Sequence, residues 1–167
     1  MCGVLLSLAI AAASALAAQP NPQSLPATEG ESLSGHRIAL AQAVRGRASL
    51  VIASFSKDAG ILCGEWAKAA AADPALASVT VYQAAMLEQV PGLVRPMIKS
   101  AMRKGLSPAQ QDTFVVLTQD EKLWRAYFGV TTDKDPWIVL IDSTGQVRWH
   151  GHGPAQNLEP LLKAALR

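Results

Sequence analysis

The sequence predicts one α/β domain: a central mixed sheet with helices on both faces, one inserted amphipathic helix, a terminal β-hairpin and a closing helix. Three observations predict it. Short apolar runs alternate with helical segments (residues 49–55, 61–72 and 79–84), the order that lays parallel strands beneath helices. Residues 135–149 read as a strand, a tight turn and a return strand. The chain has 167 residues, half of them hydrophobic and 17% charged, enough for one core and too apolar for disorder.

The elements follow in order. Val4 to Leu16 is apolar and ends at Ala15-Leu16-Ala17, the pattern of a signal peptide cut after Ala17, although no Lys or Arg precedes it. Residues 18–32, rich in Pro, Ser and Gln, read as a flexible lead. Residues 33–40 form a small hairpin or edge piece with Gly35 at the turn, and residues 42–46 one helical turn. The continuous apolar run 49–55 is a central strand buried on both faces. Asp58 is the expected N-cap of a helix over 61–72, which Asp73-Pro74 ends. Residues 79–84 are the next strand. Residues 92–104 are an amphipathic helix closed by Gly105, with Arg95, Lys99 and Arg103 on one face and Val94, Ile98, Ala101 and Met102 towards another. Residues 113–117 are a strand and 119–128 a helix. In the terminal hairpin Pro136 opens the first strand, Gly145 takes the turn, and Val147 and Trp149 share the buried face of the return strand. Residues 156–166 close the chain as a helix.

Composition excludes several functions. A net charge of +2 without an aromatic-interleaved basic patch points away from nucleic acid. No run reaches the roughly 18 apolar residues of a membrane span. No Gly-rich phosphate loop, Ser/His/Asp set or paired carboxylates stand out, and no cofactor is expected. His150-Gly151-His152 lacks a third ligand at metal-site spacing and reads as a solvated pair where the strand ends. Removing a signal peptide removes Cys2 and leaves Cys63 alone, so no internal disulfide staples the domain. Cys63 is open to three readings: a buried packing thiol, a mono-thiol reactive site, or a metal ligand.

From Leu33 to Arg167 the chain resembles the thioredoxin-like proteins of the redoxin branch. Leu33, Gly35, Ile38, Leu40, Gly46, Arg47 and Phe55 match that branch's opening pattern. Leu117, Asp120, Tyr127, Gly129 and Val130 match its middle segment, and Pro136, Asp142, Gly145 and Val147 its proline-strand hairpin. Within the branch the chain is similar to the mitochondrial ATP synthase assembly factor family, which chaperones the membrane-embedded proton-channel subunit. Cys63-Gly64-Glu65-Trp66, Arg148-Trp149 and Gly153-Pro154-Ala155 carry that likeness.

The resemblance implies a site. Thioredoxins keep two cysteines, three apart, where the helix after the Phe-ending strand begins. Counted from Phe55, those seats are Gly60 and Cys63, so the attacking thiol is missing. Dithiol exchange needs the second thiol to release a mixed disulfide. The proline loop, often cis in relatives, implies a peptide-gripping surface of Gly60, Trp66, Asp135, Pro136 and Trp137. Arg125 or Arg148 would serve a peroxidase-like site if either reached Cys63. Two functions follow: an exported, non-enzymatic binding or assembly module for a polypeptide client, or a mono-thiol oxidoreductase working through Cys63. Arg95, Lys99 and Arg103, together with Met97, Met102 and Leu93, form a second candidate surface for a partner or an anionic membrane.

Overall fold

The computed structural model describes residues 24–155 with Leu161, Lys163 and Ala164. The expected signal peptide and most of the closing helix lie outside these residues; Leu161, Lys163 and Ala164 are helical, and Leu161 is fully buried. Seven strands form one sheet, β1 Glu29–Ser32, β2 Arg37–Ala39, β3 Ser49–Ser54, β4 Thr80–Met86, β5 Phe114–Leu117, β6 Trp137–Ile141 and β7 Val147–His152. Their spatial order is β2-β1-β5-β4-β3-β6-β7. β3, β4 and β5 run parallel, and the outer strands are antiparallel. The expected mixed sheet is therefore present.

β3 lies between β4 and β6, and all six of its residues are buried. Its odd and even side chains feed different cores, which is why the run is apolar without alternation. On one face Val51 and Ala53 meet α1 (Leu40–Ala43) and α5 (Glu121–Phe128) through Leu40, Trp124 and Phe128. On the other, Leu50 and Ile52 meet α2 (Lys57–Ala72) through Cys63, Trp66 and Ala70, with Leu161. A smaller cluster of Leu33, Leu87 and Val116 takes Ile98 and Met102 from α3 (Arg95–Arg103). The short helix α4 (Pro108–Thr113) leads into β5 and opens on a capping box between Ser107 and Gln110.

Four expectations are corrected. The flexible lead ends sooner than residue 32, because Glu29–Ser32 is a strand paired with β2 on one side and β5 on the other. Its sequence EGES has little strand propensity, so the backbone ladder and neighbouring packing impose the conformation. α2 begins at Lys57, four residues before the expected start, and Ser56 caps it in place of Asp58. Val147 and Trp149 do not share a face. A bulge between Leu140 and Ile141 puts one extra residue in β7, so Val147 packs with the first core and Trp149 with the second. β7 continues to His152, and His150 and His152 both stand on its exposed side.

The basic stripe of α3 is also turned differently from expectation. Arg95 donates from Nε to the Val90 carbonyl (2.8 Å) and from Nη2 to the Glu88 carbonyl (3.1 Å). Lys99 pairs with Glu31, and Arg103 Nε donates to the Leu33 carbonyl at 2.6 Å. The cationic flank thus holds α3 against the domain. Leu93, in the turn just before α3, is 97% exposed, and Met97 in its first turn is 68% exposed.

Candidate functional site

The C-terminal end of β3 delivers Phe55 and Ser56 to the start of α2. Ser56 is in an extended conformation and its Oγ accepts the Ala59 N–H at 3.1 Å, satisfying one orphan donor of the first turn. The same hydroxyl donates to the Asp133 carbonyl at 2.5 Å. Asp58 adds negative charge in that turn, where the helix dipole favours it. Position matters for thiol chemistry, since the stabilising field falls away within the first turn. The residue at the helix start is Ser56. Gly60 lies inside the first turns, with its N–H bonded to the Ser56 carbonyl. Gly60, the seat assigned from the sequence, therefore lies inside the helix and not at its start, because the helix begins earlier than the spacing suggested.

Cys63 lies about two turns into α2. It is 2% exposed, among Leu50, Ile52, Trp66, Ile138 and Leu140. Burial pushes its thiol from an ordinary 9.0 up to about 12, against a smaller opposing effect from a hydrogen bond with Ser54. A protonated, enclosed sulfur is a poor nucleophile. Cys63 is the one cysteine among the described residues.

The remaining residues of the expected binding surface serve the domain. Trp66 is 3% exposed, and its indole N–H donates to the Gly153 carbonyl at 2.7 Å. It packs at 40° on Trp149, ring centroids 6.4 Å apart. The pair Cys63 and Trp66 is therefore one inward stripe of α2, tying the helix to the end of β7. Pro136 is buried, its carbonyl accepts the Gly153 N–H at 3.2 Å, and no described peptide bond is cis. Trp137 is buried too and stacks on the His152 ring at 4.5 Å. Asp135, half-buried, bonds His152 Nδ1 through Oδ2 at 2.9 Å. The Pro136 carbonyl is already occupied by the chain's own backbone.

One polar group at this end of the sheet was only glimpsed in the sequence. Arg125 clamps Asp133 with both Nη atoms (2.5 and 3.1 Å) and Glu121 with Nε (2.7 Å), and lies 4.8 Å over the Phe55 ring. The Arg125 bonds hold the Asp133 carboxyl below the usual carboxylate range. The chain Ser56–Asp133–Arg125–Glu121 thus ties α2, the loop before β6 and α5 together. Ser56 was legible as a hydroxyl just ahead of a Lys-Asp helix start. Glu121 and Arg125 stand four apart in α5, a spacing the sequence could have offered as an ion pair; Asp133 carried no such signal, because the loop before β6 must fold back to bring it to Arg125. Arg125 reaches the start of α2, while Arg148 pairs with Asp142 at 3.8 Å. Among the described residues no three His, Cys, Asp or Glu side chains come together as a metal site.

Sheet order, helix placement and the β3–α2 junction define a thioredoxin-like domain with a serine where the helix begins. The profile of the ATP10 protein family matches residues 15–165, and the chain belongs to that family, the ATP synthase assembly factors. No curated protein matches the sequence. Solved structures carry the fold. The thioredoxin domain of a thiol-disulfide oxidoreductase from Bacteroides vulgatus aligns with a TM-score of 0.61 at 15% identity, over 90% of this chain and 100% of that one. A putative electron transfer protein from Aquifex aeolicus gives 0.61 at 10% identity, over 86% and 95%. A thioredoxin family thiol:disulfide interchange protein from Chlorobium tepidum gives 0.53 at 21% identity, over 90% and 100%.

Proposed function

We propose that this member of the ATP10 family is an exported assembly module that serves ATP synthase by binding a polypeptide client, without thiol chemistry. The observation that carries the redox-inactive part is the burial of Cys63, 2% exposed and remote from the helix start that Ser56 occupies. A mono-thiol enzyme would need a thiolate at the surface, and desolvation of this sulfur opposes one. The family supports a protein client. The apolar segment ending at Ala17 supports export.

The test is complementation. In a strain lacking the protein, wild type and Cys63→Ser are each restored, and assembled ATP synthase is measured in membranes by native electrophoresis. Equal recovery is expected. Loss of assembly with a folded Cys63→Ser chain overturns the thiol-independent reading, and unimpaired assembly in the deletion strain overturns the assembly role. Mass determination of the mature N-terminus in the exported fraction is expected to find Ala18 first; an uncut chain confined to the cytoplasm overturns export.

A further inference from the structure

α3 covers a cavity of about 570 Å³ between itself and the β1–β2 hairpin. Arg37, Arg95, Lys99 and Arg103 line it against two acids, Glu29 and Glu31. Of the acids, Glu31 is taken by Lys99. Arg95 and Arg103 bond backbone carbonyls, which satisfy donors without cancelling charge. Both Nη groups of Arg103, Nη1 of Arg95 and the Arg37 guanidinium have no partner among the described residues. The cavity therefore presents surplus positive charge and unused guanidinium donors, the chemistry that receives a phosphate.

A second observation selects the source of that phosphate. Leu93 and Met97, the two most exposed large apolar residues of this region, are chain neighbours of Gly92 and Pro96, which line the same cavity. They stand four residues apart, Leu93 in the turn just before α3 and Met97 in its first turn, and both are open to water. A soluble phosphate ester would have no use for them. A lipid whose headgroup entered the cavity would place its acyl region against them. No helix among the described residues is long and apolar enough to cross a membrane, so such contact is peripheral.

We propose that α3 and the cationic cavity beneath it dock the protein on an anionic phospholipid surface, the headgroup phosphate meeting Arg37 and Arg103 while Leu93 and Met97 enter the interface. The proposal stands apart from the client and the redox reading. It is tested with the purified protein by flotation on vesicles of phosphatidylcholine alone or with phosphatidylglycerol added. Partition onto the anionic vesicles only, weakened by salt, is the expected result. Leu93→Ser with Met97→Ser should lower it at least about tenfold, and Arg37→Ala about fivefold. All three side chains are exposed, so thermal melts of the variants should match wild type. Titration with glycerol 3-phosphate separates the sources. Binding of the soluble ester with no vesicle partition overturns the membrane assignment. So does equal partition onto neutral vesicles, partition unmoved by the variants, or no partition at all.

Discussion

A thiol and a hydroxyl seven residues apart on one helix decide what this site can do. Cys63 is enclosed and Ser56 stands at the positive end of α2, so the environment that activates sulfur is offered to oxygen. Native protein should leave Cys63 unmodified by a thiol reagent at neutral pH. Ser56→Cys should introduce a rapidly modified thiol of depressed pKa, measured by the pH dependence of its alkylation. An inert cysteine at 56 would show that the helix start is not where the structure puts it. Cys63 also predicts a pH effect. Its folded pKa is raised, so the proton stays on in both states below about 9 and the unfolded chain alone loses it between about 9 and about 12. Thermal stability should therefore fall across that interval, and less so in Cys63→Ala. The residue-level signal for Cys63 was readable as three alternatives; burial, which only packing supplies, separated them.

At the scale of elements, a hydrogen bond from Trp66 to the Gly153 carbonyl, beside the Trp66–Trp149 ring pair, joins α2 to the end of the hairpin. Trp66→Phe keeps most of the ring and deletes the bond to Gly153, whose carbonyl is then buried without that donor. Urea denaturation should show a loss of about 1–2 kcal/mol; an unchanged midpoint would mean the bond contributes nothing. Most elements were legible from periodicity: β3 as a continuous apolar run, α5 ending at Gly129 in the left-handed conformation, and the hairpin turn at Gly145. The faces were less legible. A single bulge at Leu140/Ile141 reverses which side Trp149 serves, and nothing local announces it. α3 showed its amphipathic pattern, but its cations find backbone carbonyls and Glu31 while Leu93 and Met97 stay in water.

For the whole molecule, the strand EGES is the clearest case of tertiary control. β1 bridges the β2 edge to β5, and a Cβ at Gly30 would collide with the Val115 and Leu117 side chains and the Val116 carbonyl. Gly30→Ala should destabilise the domain by about 1–3 kcal/mol in thermal or urea unfolding; neutrality would show that β1 is looser than this register. The sequence by itself determined the α/β class, the order of most elements and the absence of a cysteine pair at the β3–α2 junction. These are local properties: hydrophobic period, turn chemistry and residue identity each act within a few positions. Tertiary structure alone decided that Glu29–Ser32 is a strand, that Ser56 holds the helix start, that Pro136 and Trp137 are enclosed, and that the basic flank of α3 roofs a cavity. Each of those depends on partners distant along the chain, and a backbone or charge reports its partner only once folding has brought the two together.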